Sequence, residues 1–417
     1  MTSNIDKYNL SDPETMENPF EFYKYIQREH PVYQMPDTGF YIISRYSDVL
    51  AALKNPDQLS SLEGFRVGAR ADPPAVDKIY ADGGFGKFLP TLVDNDPPTH
   101  TRFRKFVERT FTPAYVTSME GYISTVANEL IDGFIDQGYA EMNEAFAIPM
   151  TINVIADQLG FARGDMLKFK LWSDALVKPL GLMISDEERI ECASHSVDFQ
   201  KYLSERIEER RDDPREDLVS RLVHARIEGE EPLSTLELLS ICRLLLVAGN
   251  ETTTSAIGSG IFLLATHPEA VEMVRINPAL DARLAEEILR NESPVQGLFR
   301  VALEDVDVNG TIIPKGSVVN LRFGAANRDE SRFPDAAKFD LARKNSGQNL
   351  AFGAGIHHCI GHLLARQEIR CAMNALIQRL DNLRLAGEGQ KSISHHPSLI
   401  LRAPASIPVT FEKRSMR

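Results

Sequence analysis

A chain of 417 residues that is 43% apolar and 25% charged has the composition of an ordered, soluble protein, long enough for two or three domains or one large composite one. Its formal net charge of −13 argues against binding to nucleic acid or an anionic membrane surface, both of which would repel it at long range. Four widely spaced cysteines without a CxxC pair fit a reducing compartment rather than a disulfide framework. The amino-terminal stretch MTSNIDKYNLSDPETMENPF lacks the basic and apolar regions of a leader, and no run of about 18 apolar residues occurs, so the expectation is a cytoplasmic protein that does not insert into a membrane.

In chain order, FYIISRY (residues 40–46) reads as a short strand. Apolar side chains at three- and four-residue steps then predict helices over 115–137, 190–212, 234–266 and 279–291. The polar EERRDDPRED (208–217) reads as a solvated helix end and loop, and STLE (Ser234 to Glu237) opens the longest helix as a capping box. In EDVDVNGTIIPKGSVV, alternating apolar residues flank Asn309-Gly310, a hairpin signal because both central residues of a type I′ turn need positive φ. A last helix is predicted over 361–381. Without internal repeats, low-complexity tracts or Gly/Ser linkers, the chain reads as one mainly helical domain, 1–417, with a β-rich subregion near 36–60 and 300–325.

The stretch AFGAGIHHCIG (351–361) gathers three glycines, two histidines and a cysteine ahead of the last helix. Taken alone, Cys359 could be buried and inert. A dinucleotide loop fails because His358 stands where the third glycine belongs. A zinc cluster of His357, His358, Cys359 and His362 strains tetrahedral geometry, since three of the four are consecutive. A thiolate ligand to a large flat cofactor accounts for the pattern better: glycines let backbone approach closely, and the helix that follows holds the sulfur's charge.

Phe352-Gly353-x-Gly355-x-His357-x-Cys359-x-Gly361, with LLAR behind it, resembles the haem-binding loop of the cytochrome P-450 superfamily. The resemblance extends by ordered motifs over about residues 90–370. It implies a mainly α fold with a small β-rich region, haem b lying between a long distal helix and the cysteine loop and its helix, and Cys359 as iron ligand. It also implies activation of O2 with externally supplied electrons.

Within the longest predicted helix, AGNETT (248–253) places an acid and an alcohol in an apolar setting, which costs stability unless they bond locally or act chemically. By resemblance, Ala248 and Gly249 leave room over the iron, Thr252 hydrogen-bonds O2 and Glu251 feeds protons. Oxygen–oxygen cleavage needs such a supply. In LAEEILR, Glu287 and Arg290 share a helical face; locally this is an ordinary surface pair, and by resemblance it braces the cysteine loop. A third, basic partner is implied from FPDAAKFDLAR, with Lys338 and Arg343 as candidates.

In DNDPPTHTRFRKF, His100 and Arg104 stand four apart on one face. The resemblance makes His100, Arg104, Arg300 and His357 partners of the two haem propionates, which charge-assisted bonds would anchor. His358 and His362 read as surface or packing residues. By family position, Leu244, Val247, Ala248, Val295 and Leu298, with the loop near 62–95 and helices near 165–185, line the substrate pocket, so a small, mostly hydrophobic substrate is expected. Arg66 or Arg70 could anchor an acidic one. Because no electron-carrying domain is fused, a ferredoxin with its NAD(P)H-dependent reductase is the expected partner, and Arg102, Lys105, Arg109, Arg366 and Arg370 form a candidate basic docking face. The alternatives are a peroxide-using haem-thiolate enzyme and a non-catalytic haem sensor.

Overall fold

The capping box at Ser234 forms as the sequence predicts: the Ser234 N–H donates to Glu237 at 2.8 Å and the Glu237 N–H donates back to the Ser234 hydroxyl at 3.3 Å. These two bonds satisfy donors at the start of Thr235–Thr266, a helix of 32 residues, here called the central helix. The computed structural model describes residues 9–66, 72–161, 165–180, 184–387 and 393–415. Backbone contacts divide the chain into two compact units, residues 1–60, 117–151 and 251–417, and residues 61–116 and 152–250. The central helix contributes its first half to the second unit and the remainder to the first.

The first unit holds the strands. A five-stranded sheet runs in the order β1 (Val32–Gln34), β2 (Tyr41–Ile43), β8 (Val318–Leu321), β5 (Leu298–Ala302), β3 (Leu59–Ser60). Its β2–β8 pair is parallel, with Ile42 opposite Asn320, and the other pairs are antiparallel. One cluster of buried apolar residues on this sheet includes Ile43, Leu53, Leu59, Val319 and Leu321; another gathers Phe22, Tyr23, Tyr33, Phe40 and Ile42. The hairpin of β6 (Val306–Val308) and β7 (Thr311–Ile313) turns through Asn309 and Gly310 at φ 53° and 86°, the positive values the sequence demands. A three-stranded sheet of β4 (Tyr139–Glu141), β10 (Pro408–Lys413) and β9 (Leu380–Leu385) lies outside the segments expected to be β-rich.

Two helices of this unit matter for the site: Asp281–Glu292, the bracing helix, and His362–Arg379, the cysteine helix. The predicted helix over 115–137 breaks into Pro113–Ser118, Glu120–Asp132 and a 3-10 turn at Ile135–Gln137. Among its described residues the second unit has helices and loops but no strand. Asp186–Asp212 opens on a capping box of Ser185 and Glu188, and Phe161, Phe169, Trp172, Phe199 and Tyr202 stack into an aromatic core. EERRDDPRED is the end of that helix and the link to Leu218–His224, which Asp217 caps. Among the described residues no helix is long and apolar enough to cross a membrane.

Candidate functional site

The cysteine loop turns on two glycines with positive φ, Gly353 at 66° and Gly355 at 70°. Their turns return the chain on itself, so the Cys359 N–H donates to the Phe352 carbonyl at 2.9 Å and the His358 N–H to the Gly355 carbonyl at 3.1 Å. Sequence reasoning assigns the glycines to clearance for a flat cofactor, and at Gly355 the structure shows a further reason. A Cβ there would collide with the backbone carbonyl of Leu53, so the protein's own chain makes a close approach there. Cys359 carries no disulfide and is half-buried, whereas Cys192, Cys242 and Cys371 are buried. Burial pushes the Cys242 thiol up to about 12, which leaves it inert.

Glu286 of the bracing helix holds both flanks of this loop, and its neighbour Glu287 holds the chain that leads into it. Glu286 accepts from the Arg366 guanidinium and, at 2.8 Å, from the Asn349 amide. Arg366 also donates to His362 Nδ1 at 2.8 Å and lies 4.4 Å over the Phe352 ring. His362 and His358, read from sequence as surface or packing residues, are half-buried with ring centroids 4.7 Å apart. Glu287 and Arg290 are fully buried and joined by bonds of 2.8 Å, so the pair that spacing alone would place on a surface is a core pair. Arg343 supplies the third partner, its Nε donating to Glu287 at 3.2 Å. The Lys338 side chain is 68% exposed, and that residue contributes only its carbonyl, which Arg290 and Arg343 both reach. A lysine at that point would have to bury a strongly hydrated ammonium, while Arg343 delivers a planar fork that bonds Glu287 and three carbonyls together.

On the central helix, Ala248 is exposed, with Val247, Gly249, Glu251 and Thr252 half-buried, although most neighbouring positions are buried. The Ser255 hydroxyl donates to the Glu251 carbonyl at 2.7 Å. Leu244 is buried, and Val295 and Leu298 pack partly against the sheet core. Val295 also bridges to Leu401, and the Gln296 N–H donates to the Ile400 carbonyl at 2.7 Å. The segment 399–401 therefore neighbours an expected pocket wall; sequence reasoning missed it because nothing local ties residues a hundred positions apart.

His100 and Arg104 lie one turn apart on Thr99–Glu108 in the second unit. His100 is buried, and burial, then the nearby Arg104 charge, lowers its pKa from the usual imidazole range. Arg104 Nε donates to Glu108 at 2.6 Å. Arg300, in β5, is buried and donates to the Phe299 carbonyl at 2.8 Å; His357 sits half-buried in the cysteine loop. The expected basic face is largely compensated. Arg102 pairs with Glu237 and Glu230, Lys105 with Glu230, Arg366 with Glu286 and Arg370 with Asp281, while Arg109 donates to the Arg226 carbonyl. Arg66 pairs with Glu63, and Arg70 lies outside the described residues.

The residues fit a large flat group. A Cβ at Gly361 would meet no protein atom within 4 Å, and one at Gly249 would meet only Ile155 Cδ1, at 3.8 Å, so packing within the protein does not require either glycine. Among the described residues no group of three or more histidine, cysteine or acidic side chains could hold a metal ion.

The family model of cytochrome P450 matches residues 162–277 and 278–411, and the chain belongs to this family. It is 33% identical to cytochrome P450 CYP107DY1 of Priestia megaterium over 97% of this chain and 98% of that one. It is also 33% identical to the vitamin D(3) 25-hydroxylase of Pseudonocardia autotrophica, covering 99% of each. The structure of cytochrome P450 CYP109Q5 from Chondromyces apiculatus superposes with a TM-score of 0.87 at 35% identity, covering 98% of this chain and 99% of that one. The fold is thus the P450 fold, the cofactor haem b, and the activity that of an oxygen-incorporating oxidoreductase acting on a small molecule with O2 and a redox partner.

Proposed function

We propose that Cys359 ligates the haem iron and that the protein hydroxylates a small, mostly hydrophobic substrate, drawing electrons from a ferredoxin and its NAD(P)H-dependent reductase. The observation that carries this is the cysteine loop: a half-buried thiol, folded onto Phe352 by its own N–H and braced on both flanks by Glu286, through Asn349 and Arg366. Haem with a thiolate ligand supplies O2 reduction and cleavage of the oxygen–oxygen bond. The protein's part is positioning and proton supply. His100, Arg104, Arg300 and His357 offer cationic or N–H donors to the propionates. Phe352 and Gly353 shape the loop against the ring, and Ala248 and Gly249 keep the central helix thin where it faces the cofactor. Glu251 takes protons from solvent, and the Thr252 hydroxyl relays them by hydrogen bonds.

The apolar side chains Leu244, Val247, Val295 and Leu298 suit a mostly hydrophobic substrate, and one relative is named a vitamin D(3) 25-hydroxylase. Paired arginines leave modest net charge for steering, so docking of the ferredoxin rests on shape and short-range contacts as well as charge. The compartment that goes with this reading is the cytoplasm. The test is the absorption spectrum of the reduced protein under carbon monoxide, for the wild type and Cys359→Ala. A long-wavelength Soret band that the substitution abolishes is expected; a band indifferent to Cys359 would sink the assignment.

A further inference from the structure

Between Ile241 and Asn250 every residue of the central helix is buried except Arg243, Val247, Ala248 and Gly249. Arg243 and Val247 are four apart and share a face, so an arginine heads the open stripe that leads to Ala248. It stands about 7.5 Å of helix rise before Ala248.

The Arg243 side chain is only 20% exposed, and its charge is incompletely matched. Its guanidinium lies 5.2 Å from the centroid of the Phe88 ring, and one terminal nitrogen reaches Asp94 Oδ2 at a long 3.4 Å. The Nε–H is buried and meets no hydrogen-bond acceptor among the described residues. A buried donor on a cation is costly to leave unmade. Asp94 is already committed, because its Oδ1 accepts the Thr91 N–H at 2.9 Å. The turn carrying Phe88 and Asp94 is also held in place: the Leu89 N–H donates to Ser240 at 2.9 Å, Gln200 donates to the Gly86 carbonyl at 2.9 Å, and Lys87 pairs with Asp72 and Asp77. The arginine therefore sits in a prebuilt setting, partly exposed, with a terminal nitrogen only loosely held by Asp94.

We propose that Arg243 anchors an oxyanion, a carboxylate or phosphate, at one end of an otherwise apolar substrate whose far end is the one oxidised. This rests on the haem-thiolate reading above and names the substrate class it left open. Arg66, the candidate visible in sequence, is a poorer anchor: it is 60% exposed and already paired with Glu63 at 2.7 Å. A guanidinium that is partly desolvated and backed by an aromatic ring binds an oxyanion more strongly than an exposed one.

The experiment is calorimetric binding of dodecanoic acid and of its methyl ester to the haem-loaded wild type, Arg243→Gln and Asp94→Asn. The wild type is expected to favour the acid by about tenfold or more, the effect of one charge-assisted contact. Arg243→Gln is expected to abolish that preference while leaving the ester's affinity unchanged. Asp94→Asn, which keeps an acceptor for Thr91, is expected to widen it by removing a competing carboxylate. An acid bound no tighter than its ester by the wild type, or a preference that survives Arg243→Gln, overturns the proposal. Calorimetry does not depend on the carbon monoxide band, so loss of that band would count against the thiolate reading alone, and loss of the acid preference against Arg243 alone.

Discussion

Arg343→Ala removes four bonds at once: Nε to Glu287 at 3.2 Å, Nη1 to the Pro334 carbonyl at 2.7 Å, and Nη2 to the Asp335 and Lys338 carbonyls at 3.0 and 3.2 Å. It leaves the fully buried Glu287 with one cationic partner instead of two. Breaking a buried ion pair in this way costs about 3–5 kcal/mol. That is a large share of the roughly 5–15 kcal/mol that holds a folded protein together. Lys338→Ala is the matched control. Its ammonium is 68% exposed and 3.8 Å from Asp340, and a solvent-screened pair of that kind is worth about 0–1 kcal/mol. Urea unfolding followed by circular dichroism should therefore show a much lower midpoint for Arg343→Ala and a near-native one for Lys338→Ala. Equal midpoints, or a greater loss at Lys338, would refute the assignment of the third partner.

Glu368, on the cysteine helix, is buried with Oε2 lacking a hydrogen-bond partner among the described residues, and burial raises its pKa well above the usual carboxylate value. The folded state therefore holds a proton that the unfolded state gives up above its ordinary carboxyl pKa, so this group favours folding at low pH and loses that contribution as pH rises toward the folded pKa. Glu368→Gln should flatten this decline, gaining stability over the wild type as pH increases; parallel stability–pH curves for the two would contradict it. Gly355→Ala must adopt φ 70° and meet the Leu53 carbonyl, so it should lower stability by more than about 1–2 kcal/mol in thermal unfolding, and an unchanged midpoint would show that the loop relaxes freely.

Much of the fold was legible because its signals are local. The Asn309-Gly310 turn and the Ser234 capping box need only adjacent residues, and both form. The sheet of β4, β9 and β10 was not legible: it joins short strands at 139–141, 380–385 and 408–413, and no local periodicity announces a three-residue strand whose partner is so distant. At the candidate site, motif spacing located Glu287 and Arg290 but left their burial open, since a pair three residues apart looks the same on a surface and in a core. The choice of Arg343 over Lys338 depended on the path of the chain after Phe333. The further reason for Gly355 lay at Leu53, some three hundred positions away, where no reading of the loop itself would look.

Glu286 and Glu287 are neighbours in sequence, and on a helix neighbours point about 100° apart. One grips Asn349 ahead of the cysteine and Arg366 beyond it; the other, through Arg290 and Arg343, grips the chain that leads in from Asn327 to Lys338. Entry and exit of the loop are therefore held by one carboxylate, Glu286, while its neighbour Glu287 serves the chain that leads in. One inserted residue between the two glutamates would swing the loop, both ends together, against the chain that leads into it by a quarter turn or more. Adjacent on one helix, the two side chains tie the cysteine loop to the chain that leads into it.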